Sequence, residues 1–160
     1  MTRIVAVALL TLPLLWSCTT NMAVSEYGNP ASDRKVLIAA ESTAYKQQLV
    51  AETIRAVGTG NCYFRVLGLD QLEKLDGAPY RAVVLLAGYR AGRLDNRVVA
   101  FLKRDPEDHK VILFFTRGSD DPLPPGRMPD VKVDSVSSAS RSDKVEQRAD
   151  QLATLIKERL

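Results

Sequence analysis

From residue 35 onward, short apolar runs alternate with stretches of helical spacing, and this alternation restricts the fold more than any other feature of the chain. Five strand patterns lie at 36–40, 63–69, 82–87, 111–115 and 131–136. The first, third and fourth are continuously apolar, which is typical of strands buried on both faces of a sheet. The fifth is interspersed with polar residues, which predicts an edge position.

The stretches between these strands predict helices with one apolar side. A first helix is expected to end at about Val57, a short one follows Asp70, another runs from Asp95 to Lys103, and the last begins at Asp143 and Glu146. Strands that alternate with helices indicate a parallel sheet covered on both faces. The sequence therefore predicts one α/β domain over 35–160, a three-layer, doubly wound fold with five parallel strands.

The link between the fourth and fifth strands differs from the others. Residues 117–130 contain four prolines and two glycines, a density that excludes an interior helix. A crossover between parallel strands normally uses a helix to cover the sheet. We therefore predict that a proline-rich loop replaces the fourth crossover helix and leaves an apolar patch there, as a partner or ligand surface.

The first 17 residues have the pattern of an export signal. Arg3 gives a short positive start, and residues 4–16 are almost wholly apolar. That run is shorter than the roughly 20 apolar residues that a membrane-spanning helix needs. We therefore predict a cleaved signal peptide over 1–17.

The segment Leu15-Trp16-Ser17-Cys18 resembles the lipobox of bacterial lipoproteins, although Trp16 stands where a small residue is usual. The resemblance implies that Cys18 carries diacylglycerol and a palmitate-type acyl chain, which anchors the protein to a membrane outside the cytoplasm. Thr19 in place of Asp implies the periplasmic face of the outer membrane. A plain signal peptide, or a buried apolar N-terminus with an incidental Cys, is the alternative.

The residues that follow Cys18 contain Ser, Asn, Gly and Pro without apolar periodicity, so 18–34 is predicted to be a lipidated N-terminus and flexible tether. The second cysteine is Cys62. If Cys18 carries lipid, Cys62 is expected to be a small buried hydrophobe. If it does not, a disulfide between the two is the alternative in an oxidising compartment.

Four segments resemble flavodoxins: 35–54, 83–93, 99–103 and 110–116. The resemblance implies the strand order 2-1-3-4-5 and an FMN site at the carboxyl ends of the strands, which is also where open parallel sheets bind ligands. In that family the first loop holds the FMN phosphate with hydroxyls and backbone amides at a helix N-terminus.

Five residues match positions of the flavodoxin site. Ser42 and Thr43 take the early hydroxyl positions of the phosphate loop, although helix capping explains them equally well. Tyr45 stands where the family has Gly, and this hinders close approach to the phosphate. Lys46 is a candidate for the compensating charge, and Tyr89 lies where the second loop presents an aromatic ring to the flavin.

Other chemistries have little support. The net charge is +3 without a long Lys/Arg cluster, which argues against nucleic-acid binding. His109 is the only histidine, so neither a zinc site nor a hydrolytic triad can be assembled convincingly. A receiver domain needs a carboxylate at the end of the third strand, where Ala87 and Gly88 stand.

Two functions remain. The first is a cofactor-free interaction module that docks an unidentified partner protein in the cell envelope, favoured by the incomplete phosphate loop. The second is an FMN-binding electron carrier at the membrane surface. No constellation of residues assigns an enzymatic activity.

Overall fold

The computed structural model describes residues 22–104, 108–118 and 134–160. The strands are β1 Ser25–Gly28, β2 Lys35–Ala40, β3 Tyr63–Gly68, β4 Ala82–Arg90, β5 Arg93–Leu94, β6 Val111–Arg117 and β7 Asp134–Ala139. The helices are α1 Ala44–Val57, α2 Asn96–Arg104 and α3 Val145–Lys157. Short 3₁₀ turns occupy Leu69–Lys74, Asp108–Lys110 and Ser142–Lys144.

The sheet is mostly parallel, which confirms the α/β class. Its order is β1-β3-β2-β4-β6-β7, and β5 pairs with β4 beside this path. β1 and β5 run antiparallel to their neighbours, while the remaining strands pair in parallel. The predicted count of five strands is therefore wrong for the described residues, which form seven, and the order of the whole sheet differs from 2-1-3-4-5 by these two additions. The polar strand β7 ends the sheet, as expected of an edge strand.

Two apolar clusters cover the two faces of the sheet. Val36 and Ile38 of β2 pack on the side of α1 and α3, whereas Leu37 and Ala39 pack on the side of α2. Because side chains alternate along a strand, one apolar run supplies both cores. The doubly wound arrangement follows from that alternation.

Two of the predicted helix starts differ in the structure. The turn Leu69–Lys74 is 3₁₀ and follows Gly68 without a side-chain cap, so Asp70 lies inside it and does not cap it. α3 follows Lys144, again without a side-chain cap. Asp143 does not begin the helix, because it lies in the preceding 3₁₀ turn and pairs with Arg141 at 3.0 Å.

The prediction of a flexible tether over 18–34 is wrong for its described part. β1 pairs with β3 through the register Ser25↔Val66 to Gly28↔Tyr63. A hydrogen-bonded turn then leads to β2. In this turn the Ser32 hydroxyl donates a hydrogen bond to the carbonyl of Asn61 at 3.0 Å. Apolar periodicity failed to reveal this strand because only one of its edges is paired and its side chains are mostly exposed.

Several predictions concern residues outside the described ranges. They are the signal peptide 1–17, the lipidated Cys18, most of the proline-rich link 117–130 and the apolar patch expected there. In the ranges that are described, no helix has the length and apolar character that a bilayer crossing requires.

Candidate functional site

The chain winds in opposite directions from two adjacent central strands. β2 leads through α1 to β3 on one side of the sheet, and β4 leads through α2 to β6 on the other. A crevice opens between the carboxyl ends of β2 and β4 at this switch point, where open parallel sheets bind their ligands.

Glu41 occupies this crevice. It directly follows β2, its backbone N–H donates to the carbonyl of Leu86 at 3.2 Å, and only 7% of the residue is exposed. Its Oε1 accepts a hydrogen bond from the backbone N–H of Gly88 at 3.2 Å. A Cβ placed on Gly88 would lie 3.2 Å from both carboxylate oxygens, so the carboxylate packs directly against the backbone of β4.

Lys46 closes the crevice from the side of α1. It is 2% exposed, and its Nζ lies 2.7 Å from Oε2 of Glu41. The same ammonium donates to Oγ1 of Thr116, at the end of β6, at 3.1 Å. The Thr116 hydroxyl in turn donates to the carbonyl of Ala87 at 3.4 Å. The ion pair therefore ties together the carboxyl ends of β2, β4 and β6.

Burial and the ion pair with Glu41 shift the pKa of Lys46 in opposite directions. Burial lowers the pKa of its ammonium from the ordinary value of 10.5, and the hydrogen bond and charge of Glu41 raise it. Arg90 reaches Oε2 of Glu41 at 3.3 Å from an exposed position. The arrangement is a buried carboxylate–ammonium pair with an exposed guanidinium at its rim.

A cleft of about 360 Å³ lies beside this pair. Its lining consists of Thr43, Tyr45, Lys46, Tyr89, Arg90, Thr116, Arg117, Gly118 and Ser140. The fold therefore brings four of the five predicted site residues to one cleft. The fifth, Ser42, accepts a hydrogen bond at Oγ from Nε2 of Gln47 at 2.8 Å.

The two tyrosines of the cleft carry buried hydroxyls. Neither the Tyr45 nor the Tyr89 hydroxyl has a hydrogen-bond partner among the residues that the structure describes. The ring of Tyr89 lies 5.8 Å from that of Phe115, centroid to centroid, in a tilted arrangement. This part of the cleft offers aromatic surface together with unsatisfied polar groups.

The residues present do not fit the FMN phosphate in the manner that the flavodoxin resemblance implies. Thr43 caps α1, since its Oγ1 accepts from the backbone N–H of Lys46 at 3.2 Å. The ammonium of Lys46 is already neutralised by Glu41. A phosphate there would have to compete with the Glu41 carboxylate for this ammonium, and Arg90 at the rim contacts the same carboxylate.

The sequence interpretation missed Glu41, Arg90 and Thr116. A signal for Glu41 is present: it directly follows a continuous apolar strand and has a Lys five residues later. A charged residue at that position must leave the sheet face or find a partner. In the described ranges, no group of three or more His, Cys, Asp or Glu side chains is placed to hold a metal ion.

The sequence matches no family model and no curated protein sequence. Its fold resembles an oxidoreductase from Corynebacterium diphtheriae, with a TM-score of 0.51 and 15% identity over 79% of this chain and 99% of that one. It also resembles a flavo-di-iron protein from Thermotoga maritima, with a TM-score of 0.54 and 14% identity over 82% of this chain and 37% of that one.

A lysine decarboxylase from Francisella novicida is similar as well, with a TM-score of 0.50 and 12% identity over 79% of this chain and 17% of that one. At such identities the likeness shows the fold alone, a mostly parallel α/β sheet with flavodoxin-like neighbours. These neighbours include proteins named for a flavin and one named for a decarboxylation, so the fold by itself selects no cofactor.

Proposed function

We propose that this protein is a lipid-anchored envelope protein whose flavodoxin-like domain works without a cofactor, as an interaction module for another envelope protein. The buried Glu41–Lys46 pair is the observation that supports a domain without a cofactor. It lies at the edge where open parallel sheets bind ligands, and it uses the charge that Lys46 would offer to a phosphate.

The energetics of the pair favour its persistence. Separating a buried ion pair leaves an unpaired charge in a medium of low dielectric constant, at a cost of about 3–5 kcal/mol. A phosphate entering beside Glu41 would have to draw Lys46 away from it, and the hydrogen bond from Gly88 holds the carboxylate in place. The chain's own carboxylate thus takes the place of an external anion.

The lipid anchor is supported by the lipobox-like segment that ends at Cys18. We place the protein at the periplasmic face of the outer membrane, because Thr19 follows the cysteine. The domain then works close to that membrane, where its partner resides.

Metabolic labelling with an alkyne analogue of palmitate tests the anchor. Wild-type protein is expected to incorporate the label and to fractionate with membranes, and Cys18→Ser is expected to lose both properties. Cys62→Ser is the matched control, because Cys62 is buried in the core and is expected to leave labelling unchanged. Labelled Cys18→Ser protein in the membrane fraction would contradict the proposal.

An FMN-binding electron carrier is the second candidate, favoured by the two tyrosines of the cleft and by the flavin named in one structural neighbour. FMN would supply one- and two-electron chemistry, and Tyr89 would pack against its ring. A flavin absorption band near about 450 nm in protein purified under non-denaturing conditions would favour this candidate. A featureless spectrum in that region supports the cofactor-free module.

A further inference from the structure

β4 continues past its parallel neighbours and ends in a tight hairpin with β5. Its parallel pairing stops at Gly88, whereas Tyr89 and Arg90 pair back with Leu94 and Arg93. The hairpin therefore extends beyond the end of β2 at the carboxyl edge of the sheet, next to the buried ion pair.

The turn of this hairpin consists of two residues that both have a positive φ. Ala91 has φ 49° and Gly92 has φ 77°. Two-residue turns with this geometry match the twist of the flanking strands and fix their register. Alanine is strained at a positive φ, because its Cβ crowds the following carbonyl oxygen, and the chain keeps this strain at the turn.

The register brings two like charges together. Arg90 and Arg93 lie directly opposite each other, so their side chains project from the same face of the hairpin. Both residues are exposed. Like charges in directly opposite positions destabilise strand pairing, and their Cβ atoms are about 5 Å apart. The hairpin thus presents two guanidinium groups side by side at a cost to its own pairing.

The carboxylates near the hairpin are already engaged. Glu41 is shared between the buried ammonium at 2.7 Å and Arg90 at 3.3 Å, so one negative charge serves two cations. Asp95 is bound by Arg97 at 2.7 Å. Within the part of the chain that the structure describes, Arg93 has no ion-pair partner. The neighbouring described residues therefore leave positive charge on this face uncompensated.

The charged face adjoins the cleft at the switch point, because Arg90 belongs to both. Tyr45 and Tyr89 also line this cleft, which has a volume of about 360 Å³. That volume is at the lower end of the range for binding pockets. The cleft therefore has room for a side chain of a partner beside the two arginines.

We propose that the β4–β5 hairpin and this cleft together bind an acidic segment of a partner protein, with carboxylates against Arg90 and Arg93 and a neighbouring aromatic side chain in the cleft. This inference rests on the proposed role as an interaction module and names the chemistry of the partner. The planar guanidinium matches a carboxylate through two parallel hydrogen bonds.

The same arrangement discriminates against small anions. An exposed ion pair contributes little by itself, so a single phosphate or carboxylate is held weakly at the rim. A segment with several carboxylates engages both arginines at once, and each contact makes the next one intramolecular. The site therefore favours a multiply charged peptide over an isolated anion.

Binding of labelled peptides to the full-length protein in non-ionic detergent, followed by fluorescence anisotropy at low ionic strength, tests the proposal. Two heptapeptides carry three glutamates on each side of a central residue, which is phenylalanine in one and glycine in the other. We expect saturable binding of both, about threefold tighter for the phenylalanine peptide because its ring enters the cleft. Equal affinities would overturn the part assigned to the cleft.

The variant Arg93→Glu tests the hairpin. We expect it to weaken binding of the phenylalanine peptide by about tenfold or more, whereas Arg93→Lys keeps the charge and costs less. The matched control is Arg81→Glu, an exposed position that directly precedes β4 at the opposite edge of the sheet, with an expected change of less than about twofold.

The same variant separates a binding role from a structural one. Arg93→Glu places a carboxylate opposite Arg90, so its urea midpoint is expected to rise above that of wild type while binding is lost. Loss of binding together with a lowered midpoint would show a damaged fold and overturn the assignment of Arg93. Equal losses in Arg93→Glu and Arg81→Glu would show a response to net charge alone and overturn the site.

Two further outcomes also overturn the inference. One is the absence of saturable binding of either peptide up to about 1 mM, a binding free energy weaker than about −4.1 kcal/mol. The other is competition by a deoxythymidine hexamer or by soluble dihexanoyl phosphatidylglycerol at lower concentrations than the glutamate peptides, which would assign the face to a nucleic acid or a lipid. Flavin in the purified protein refutes the cofactor-free module itself, whereas flavin-free protein that binds no peptide refutes this inference only.

Discussion

At the residue scale, removing one charge of the Glu41–Lys46 pair is expected to destabilise the fold more than removing both charges. Glu41→Gln leaves the ammonium of Lys46 buried without its counter-charge, and we expect the free energy of unfolding to fall by about 3–5 kcal/mol. The double variant Glu41→Gln/Lys46→Met removes both charges and is expected to regain most of this loss. Urea unfolding of both variants and of wild type measures the difference. A double variant as unstable as Glu41→Gln would contradict the ion-pair account.

The same pair predicts a dependence on pH. Burial lowers the pKa of Lys46 below 10.5, so between that lowered value and 10.5 the unfolded chain binds a proton that the folded chain has released. Stability contributed by this group therefore rises with pH across that window. In Glu41→Gln the hydrogen bond and the charge that raise the pKa of Lys46 are lost, so that pKa falls further and the pH window extends to lower values. We expect the deficit of Glu41→Gln relative to Glu41→Gln/Lys46→Met to shrink as pH approaches 10.5, in urea unfolding at a series of pH values.

Part of the candidate site is predictable from the sequence. The resemblance to flavodoxins implies that Ser42, Thr43, Tyr45, Lys46 and Tyr89 lie at the carboxyl ends of the strands, and the structure brings all of them except Ser42 to one cleft. The role of Lys46 toward a phosphate stays a prediction, whereas its contact with Glu41 was not foreseen. Contacts of that kind depend on side-chain direction across the sheet edge, which periodicity does not encode.

At the element scale, β1 depends on a single glycine. Gly28→Ala introduces a methyl group against the carbonyl of Cys62 at a positive φ, and we expect a loss of more than about 2 kcal/mol together with faster amide exchange in β1. Gly58→Ala is a control for the positive φ alone, because no atom lies within 4 Å of its added Cβ, and its expected cost is about 1–3 kcal/mol. Gly60→Ala has neither feature and should change stability by less than about 0.5 kcal/mol. Equal effects at positions 28 and 60 would contradict the close packing of β1.

Some of the strands are easier to recognise from the sequence than others. The apolar runs of β2, β4 and β6 are buried on both faces, so each was recognisable from composition alone. β1 has four residues and pairs along one edge, and β5 has only two residues. Neither strand shows the alternation of apolar and polar residues by which a strand can be recognised. Asp95 was correctly predicted to start a helix, since its Oδ1 accepts from the backbone N–H of Arg97 at 2.9 Å.

At the scale of the whole molecule, the carboxyl edge of the parallel strands holds both the buried Glu41–Lys46 pair and the cleft beside it. The fold class was predictable because alternating strands and helices admit few architectures. The incomplete phosphate loop is visible in the sequence, whereas the pairing of Glu41 with Lys46 at this edge is not.

We propose that the Glu41–Lys46 pair excludes a phosphate-bearing cofactor from the switch point. Titration of full-length protein in detergent into FMN, followed by flavin fluorescence, tests it most directly. We predict no saturable change up to about 100 µM protein, which corresponds to a binding free energy weaker than about −5.5 kcal/mol. Saturation at one FMN per chain with micromolar or tighter affinity, lost in Lys46→Met, would contradict the claim.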